Sequence, residues 1–194
     1  MLKEKLKKYK LILASGSPRR QQFFKDLDLD FEIRLKEVEE IYPPELKSVE
    51  ITNFLAELKA NAFDGELNEN EILITSDTIV WLNDKALGKP KNAEDAFQMI
   101  KSMSNTTHEV ITSVCFKTQD TSALLHDITK VTFKELSDEA ILYYIENYKP
   151  YDKAGAYGIQ EWFGFMAVTK VEGSYTNVMG LPTAKVYEYL TTLV

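Results

Sequence analysis

Ten residues, Ile72-Leu73-Ile74-Thr75-Ser76-Asp77-Thr78-Ile79-Val80-Trp81, constrain the fold more than any other stretch. Their β-branched and aromatic side chains make a near-continuous apolar run, which suits a strand in a sheet covered on both faces. Asp77 sits in the middle of that run. An ionised carboxylate buried in apolar surroundings raises its pKa or demands a cation, a metal or several hydrogen-bond donors. The alternative is that the strand stops near Thr75 and Asp77 only hydrogen-bonds a turn, since acidic residues commonly begin loops.

The remaining composition narrows the field. A chain of 194 residues is long enough for one well-buried α/β core, or for two lobes sharing a sheet, and a single domain over 1–194 is expected. The hydrophobic fraction of 44% is ordinary, and no apolar run approaches the roughly 20 residues of a membrane-spanning helix. Residues Met1 to Lys10 are basic but lack the apolar segment of a secretory signal, so a cytoplasmic location is expected. Cys115 is the single cysteine, which excludes an internal disulfide, and beside Val114 and Phe116 it suits a small core residue. His108 and His126 stand apart from any Cys or His partner, so no zinc site is expected. A net charge of −7 argues against general affinity for nucleic acid or acidic membranes. An anionic ligand must then be met locally, and Arg19, Arg20, Lys59, Lys89 and Lys153 each stand near Gly, Pro or Ala.

In chain order, Met1 to Tyr9 suits a solvated helical turn, and Lys10 to Ala14 a short strand. Ser15-Gly16-Ser17-Pro18-Arg19-Arg20 follows as a loop into a helix, with Ser17 at the N-cap and Pro18 at the first helical position. Backbone N–H groups and the positive helix end make such a loop a place for phosphate, sharpened by two guanidinium groups; a capped helix with two exposed arginines is the plainer alternative. No Walker loop is present. A second strand is expected over Asp30–Arg34, then an acidic loop holding Glu37, Glu39 and Glu40. Helical spacing over Ser48–Phe63 places Lys59 on a helix capped by Ser48. Asn83-Asp84-Lys85 suits a turn and Gly88-Lys89-Pro90 a tight loop, before a helix from Asn92 to Met103. Strands are expected over His108–Thr118, in alternating pattern, and Leu124–Phe133; a helix over Ser137–Tyr148; a glycine-rich loop with few apolar anchors over Tyr151–Gln160; a strand over Gly164–Val171; and a closing helix after Gly180-Leu181-Pro182.

Taken in order, Ala14-Ser15-Gly16-Ser17-Pro18-Arg19-Arg20, Glu40, Lys59-Ala60, Ser76-Asp77-Thr78, Gly88-Lys89-Pro90, the run Asp152-Lys153-Ala154-Gly155-Ala156-Tyr157-Gly158-Ile159-Gln160, and Val178-Met179-Gly180-Leu181-Pro182 resemble the Maf family of nucleoside triphosphate pyrophosphatases. The resemblance spans nearly the whole chain. It implies an α/β fold of the Maf/ITPase-like kind, a mixed twisted sheet with flanking helices and two lobes around a central cleft. It also implies hydrolysis of a nucleoside triphosphate to the monophosphate and pyrophosphate with a divalent metal, Mg²⁺ or alternatively Mn²⁺, by a homodimer. In the branch acting on dTTP and UTP the specificity positions hold Arg, Thr and Gln, matched here by Arg19, Thr78 and Gln160. A sister branch acting on 7-methyl-GTP carries Trp at the first of these. Two departures stand out: Ser76, where relatives often have Ala, and Glu161-Trp162, which replaces a small or glycine-rich continuation.

On this resemblance Asp77 is the general base and a metal ligand, with Glu40 as a second metal carboxylate. Ser15, Arg20, Lys59 and Lys89 contact the substrate phosphates, and Lys153 is a further candidate cation. Mg²⁺ is hard and oxygen-seeking and usually binds through one or two carboxylates plus phosphates, so the lack of a His/Cys cluster is no objection. Gln160 can donate and accept side by side, which matches a pyrimidine's carbonyl and N3–H. Regular alternation sends Asp77 and Thr78 to opposite faces, so both serve one cleft only if the strand bends or ends there. Two other functions remain open at this point, a non-catalytic nucleotide-binding regulator of cell division and a nucleotidyltransferase.

Overall fold

The computed structural model describes residues 2–193. Two compact units emerge. The first comprises the chain up to Asp77, Thr112–Asp127, and the chain from Gly180 onward; the second comprises Thr78–Ile111 and Ile128–Met179. Seven strands among the described residues hydrogen-bond in the order β2-β1-β3-β5-β6-β7, with β4 paired to β3. These are β1 (Lys10–Leu13), β2 (Phe31–Ile33), β3 (Glu71–Leu82), β4 (Lys85–Leu87), β5 (Thr107–Lys117), β6 (Ser122–Phe133) and β7 (Val168–Glu172). The mixed α/β class expected from the sequence is the one observed.

In the first unit β1 pairs in parallel with β2 and with β3, Leu11 opposite Ile72 and Leu13 opposite Ile74. Period-2 alternation then sorts the side chains. Leu11, Leu13, Ile72 and Ile74 enter one buried cluster with Phe24 of α2 (Pro18–Asp26) and Val186 and Leu190 of α8 (Thr183–Leu193). Ile12 and Leu73 enter another, with Ala56 and Ala60 of α3 (Val49–Asn61), Phe63 and Cys115. Both faces are covered, which is why the β3 run is almost wholly apolar.

In the second unit the end of β3 turns back into β4, with Val80 opposite Leu87 and Leu82 opposite Lys85. Asn83 and Asp84 both have positive φ, 49° and 58°, the geometry of a two-residue hairpin whose twist matches its strands. Around this hairpin one core gathers Val80, Ile100 of α4 (Ala93–Ser102), Tyr144 of α5 (Asp138–Tyr148), Tyr157 and Phe163. Asn92 and Ser137 cap α4 and α5 as expected, accepting from the amides of Asp95 and Ala140.

Several expectations are corrected. Met1 lies outside the described residues; the rest of the lead-in is helical with its lysines exposed, but its two leucines are not solvated. Leu2–Lys5 forms α1 and Leu6–Lys8 a 3-10 turn, and Leu2 and Leu6, one helical turn apart, are buried. Ser48 precedes α3 but gives no side-chain cap; its φ of 49° and ψ of −123° turn the chain instead. β5 does not alternate between faces in burial: every residue from Val110 to Phe116 is buried, the polar Ser113 satisfied by Thr52 and Asn53 of α3. The stretch expected as a strand from Gly164 is helical as far as Ala167, in α6 (Trp162–Ala167), and only Val168 onward is β7. An apolar run without polar punctuation has no decisive period, and tertiary packing chose the helix. The Tyr151–Gln160 loop is well anchored, with Ala156, Tyr157 and Ile159 all buried.

Candidate active site

β3 is continuous from Glu71 to Leu82, so Asp77 is a strand residue and not the start of a loop. Leu73, Thr75 and Asp77 follow one another at the two-residue period and share a face, the one against which α3 packs. Thr75 Oγ1 donates to the carbonyl of Ala56 at 2.6 Å, which ties the helix to the strand. One turn further along α3 stands Lys59, two strand residues beyond Thr75 stands Asp77, and the Lys59 ammonium donates to Asp77 Oδ1 at 2.7 Å. The position of the cation that partners Asp77 is therefore set by a small buried core and one hydroxyl.

Glu40 reaches the same ammonium from the acidic loop, Oε1 to Nζ at 3.1 Å. The Asp77 side chain is about 10% exposed, Lys59 16% and Glu40 44%, so the group runs from the buried strand out toward solvent. Burial pushes the Asp77 carboxyl above its ordinary range, while Lys59 and then Arg20 pull it down and Glu40 adds to the rise. A carboxylate so placed is more basic than a free aspartate.

Arg20 lies on α2, whose N-cap Ser17 accepts from the Arg20 amide and whose first residue is Pro18. Its Nε donates to the carbonyl of Gly180 at 2.8 Å, and Nη1 to the carbonyl of Ser76 at 3.2 Å and to Ser15 Oγ at 3.5 Å. Burial lowers the guanidinium's pKa, and the Asp77 charge opposes that. Arg20 is thus a strut fixed by carbonyls as well as a local positive charge. Ser15 is buried, its hydroxyl accepting from the Ser17 amide at 3.3 Å and its carbonyl from the Gln21 side chain at 3.0 Å. The hydroxyls of Ser15 and Ser17 thus already occupy part of this loop's donor capacity. Arg19 is half-buried at the second position of α2. Ser76 Oγ is buried with no hydrogen-bond partner.

The remaining expected residues belong to the second unit. Lys89 is exposed, in a loop that the Gly155 amide fixes by donating to the Gly88 carbonyl at 3.0 Å. Gly155 has φ of +68°, and a Cβ there would stand 2.7 Å from Val80 Cγ2, so both backbone and space require glycine. Gln160 is half-buried. Lys153, expected among the phosphate cations, is instead engaged by Asp152 at 2.8 Å and Glu161 at 3.1 Å and is nearly buried. Thr78 directly follows Asp77 in β3 and is half-buried. Sequence reasoning missed the tether at Thr75, the carbonyls of Ser76 and Gly180, and the hydroxyl of Tyr144. Backbone acceptors carry no residue-type signal; the Glu161 departure was the one visible pointer to Tyr144.

A divalent cation is a fair test of this donor set. Among the described residues no group of three or more His, Cys, Asp or Glu side chains converges as a self-sufficient metal site. Two carboxylates do converge, Asp77 and Glu40 on one nitrogen, and a pair of hard oxygens suits an ion that completes its shell with phosphate oxygens and water.

Residues 10–193 match the family model described as Maf-like protein. The chain belongs to the Maf family. A dTTP/UTP pyrophosphatase of Flavobacterium johnsoniae is 91% identical over 194 residues, all of both chains. One of the same name from Flavobacterium psychrophilum is 66% identical over 98% of this chain and 97% of that one. The solved structure of the Staphylococcus aureus Ham1 protein, 14% identical, covers 95% of this Maf chain and 100% of its own with a TM-score of 0.55, a likeness of fold alone. No helix among the described residues is long and apolar enough to cross a membrane.

Proposed function

We propose that the chain hydrolyses dTTP and UTP to the monophosphate and pyrophosphate, with Asp77 as general base. The observation that carries the catalytic assignment is the buried Asp77 carboxylate held by Lys59 at 2.7 Å within the field of Arg20. Its raised proton affinity suits it to take a proton from water, and Lys59, bound to Oδ1, orients the carboxylate for that task. Water oxygen bonds to the α phosphorus, the bond from that phosphorus to the bridging oxygen breaks, and pyrophosphate departs with both electrons. The proton passes to Asp77. Arg20, Lys59 and Ser15 supply the positive charge and hydrogen bonds that such a transition state needs, since phosphoryl transfer depends mainly on positioning and electrostatics. Lys89 joins them on the strength of the family resemblance.

Asp77 and Glu40 would hold the divalent cation, Mg²⁺ or alternatively Mn²⁺, which when bound neutralises charge on the triphosphate. Gln160 reads the pyrimidine edge, with Arg19 and Thr78 as further specificity residues. The near-identical relative named dTTP/UTP pyrophosphatase supports the substrate assignment. A cytoplasmic homodimer without nucleic-acid or membrane partners belongs to the same proposal, supported by the resemblance and by a net charge of −7.

The test is pyrophosphate release from common and modified triphosphates, with and without Mg²⁺ and with no acceptor but water. Release from dTTP and UTP is expected, falling ~10²–10⁴-fold in Asp77→Asn. Near wild-type turnover by that variant rejects Asp77 as the base, and dependence on an added acceptor rejects hydrolysis.

A further inference from the structure

Gln160 lies in a turn closed by the Glu161 amide, which donates to the Gly158 carbonyl at 3.2 Å. The two residues flanking that turn meet on one phenol. The Gly158 amide donates to the Tyr144 hydroxyl at 3.0 Å, and that hydroxyl donates in turn to Glu161 Oε2. The other carboxylate oxygen, Oε1, accepts from Lys153 at 3.1 Å, and Lys153 is itself only 8% exposed. Tyr144 is fully buried on α5, its ring against Phe163 at 4.8 Å between centroids. Burial and then the hydrogen bond to Glu161 push the phenol's pKa up, so it stays protonated and remains a donor.

Two glycines show how tightly the segment is held. A Cβ on Gly158 would stand 2.7 Å from the Glu161 carboxyl carbon, so the carboxylate occupies the space a side chain would need. A Cβ on Gly164 would stand 1.8 Å from the Ile159 carbonyl oxygen, so the backbone of α6 lies directly on the residue before Gln160. Glu161, a charged side chain packed in that place, needs compensation, and Tyr144 and Lys153 supply it.

We propose that Glu161, locked between Tyr144 and Lys153, is a positioning residue that presents the Gln160 amide to the pyrimidine base and so sets base selectivity. The inference rests on the reading of Gln160 as the base-contacting residue. A carboxamide discriminates only when its donor and acceptor are held in register with the base edge, because a displaced or rotated amide leaves buried polar groups unpaired. The base is remote from the reacting phosphorus, so loosening its reader weakens ground-state and transition-state binding alike, which raises KM and leaves kcat.

Steady-state kinetics of the full chain with UTP and CTP separate the possibilities, using Tyr144→Phe, Glu161→Gln and Gln160→Ala, each with a thermal melt. Tyr144→Phe keeps the ring packing and removes the hydroxyl; Glu161→Gln keeps the shape and removes the charge. Both are expected to raise KM for UTP about tenfold, to change kcat less than twofold, and to cut UTP over CTP selectivity about tenfold. If Gln160→Ala leaves selectivity intact, the base-contact reading fails and this inference with it. If Gln160→Ala loses selectivity while Tyr144→Phe and Glu161→Gln keep it, the positioning role alone is overturned. A fall in kcat that follows the loss of Tm, with selectivity unchanged, marks a purely structural clamp and also overturns it.

Discussion

Glu71 opens β3, and its side chain is 3% exposed yet ionised. Arg34 grips it with two hydrogen bonds, Nη2 to Oε1 at 2.8 Å and Nη1 to Oε2 at 3.2 Å, and the Asn68 amide adds a third at 3.1 Å. The Arg34 hydrogen bonds, outweighing the opposing effect of burial, bring its pKa from the usual 4.5 down to about 2. At 1.36 kcal/mol per pKa unit, that difference corresponds to about 3 kcal/mol of stability. The folded-state pKa lies below the unfolded one, so this stabilisation is complete above about pH 4.5 and disappears as the pH falls toward 2. Glu71→Gln, which resembles the protonated acid in shape, is therefore expected to unfold about 3 kcal/mol more easily at pH 7, lowering Tm by roughly 6–12 °C for a chain of this size. The gap to the wild type should narrow through pH 4 and pH 3 and nearly close at pH 2. Urea unfolding followed by circular dichroism at these pH values measures it. A gap under 0.5 kcal/mol at pH 7, or one that does not change with pH, would refute the assignment of this ion pair as a stabilising device.

Other outcomes follow from the site. Because burial raises the Asp77 carboxyl, kcat/KM should fall with decreasing pH at a value above the ordinary aspartate range, and a pH-rate profile with its acid limb near pH 4 or lower contradicts this. Asp77→Asn removes a charge whose burial costs stability above its raised pKa, so its melting temperature should equal or exceed that of the wild type in a neutral-pH scan. Ser76→Ala deletes a buried hydroxyl that has no partner and should stabilise the chain by about 1 kcal/mol, read from urea midpoints; a loss of stability would reveal a hidden hydrogen bond. Gly164→Ala forces a methyl carbon onto the Ile159 carbonyl and should destabilise by about 3 kcal/mol or more, and a folded variant with unchanged Tm would show that α6 can shift away.

The parts of this protein legible in its sequence are those governed by local rules. The β3 run, the helical spacing before Gly65, and the caps at Ser17, Asn92 and Ser137 each announce themselves through neighbouring residue types. What escaped depends on distant partners. Trp162–Ala167 is equally apolar as strand or helix, and Ser48 is a good cap whose backbone is bent away from capping. Lys153 had the surroundings of a ligand-binding lysine, but Glu161, eight positions later, captures it. Asp77 and Thr78 show a different limit: a motif names residues together, while regular strand alternation turns neighbours to opposite faces. Asp77 stood out because burial of charge is a conflict visible in one dimension, yet its tether through Thr75 to Ala56 was invisible there.

The hydrogen bond from Arg20 to Gly180 spans 160 positions, and this bears on how the chain comes into being. A ribosome delivers Arg20 160 positions before Gly180, so a nascent chain can form β1 and α2 long before the strut has its far support. Contacts of such long range carry a large closure entropy and settle late. The cationic surroundings of Asp77 are thus completed only after Gly180 has emerged, and until then the carboxylate lacks a fully braced Arg20 beside it.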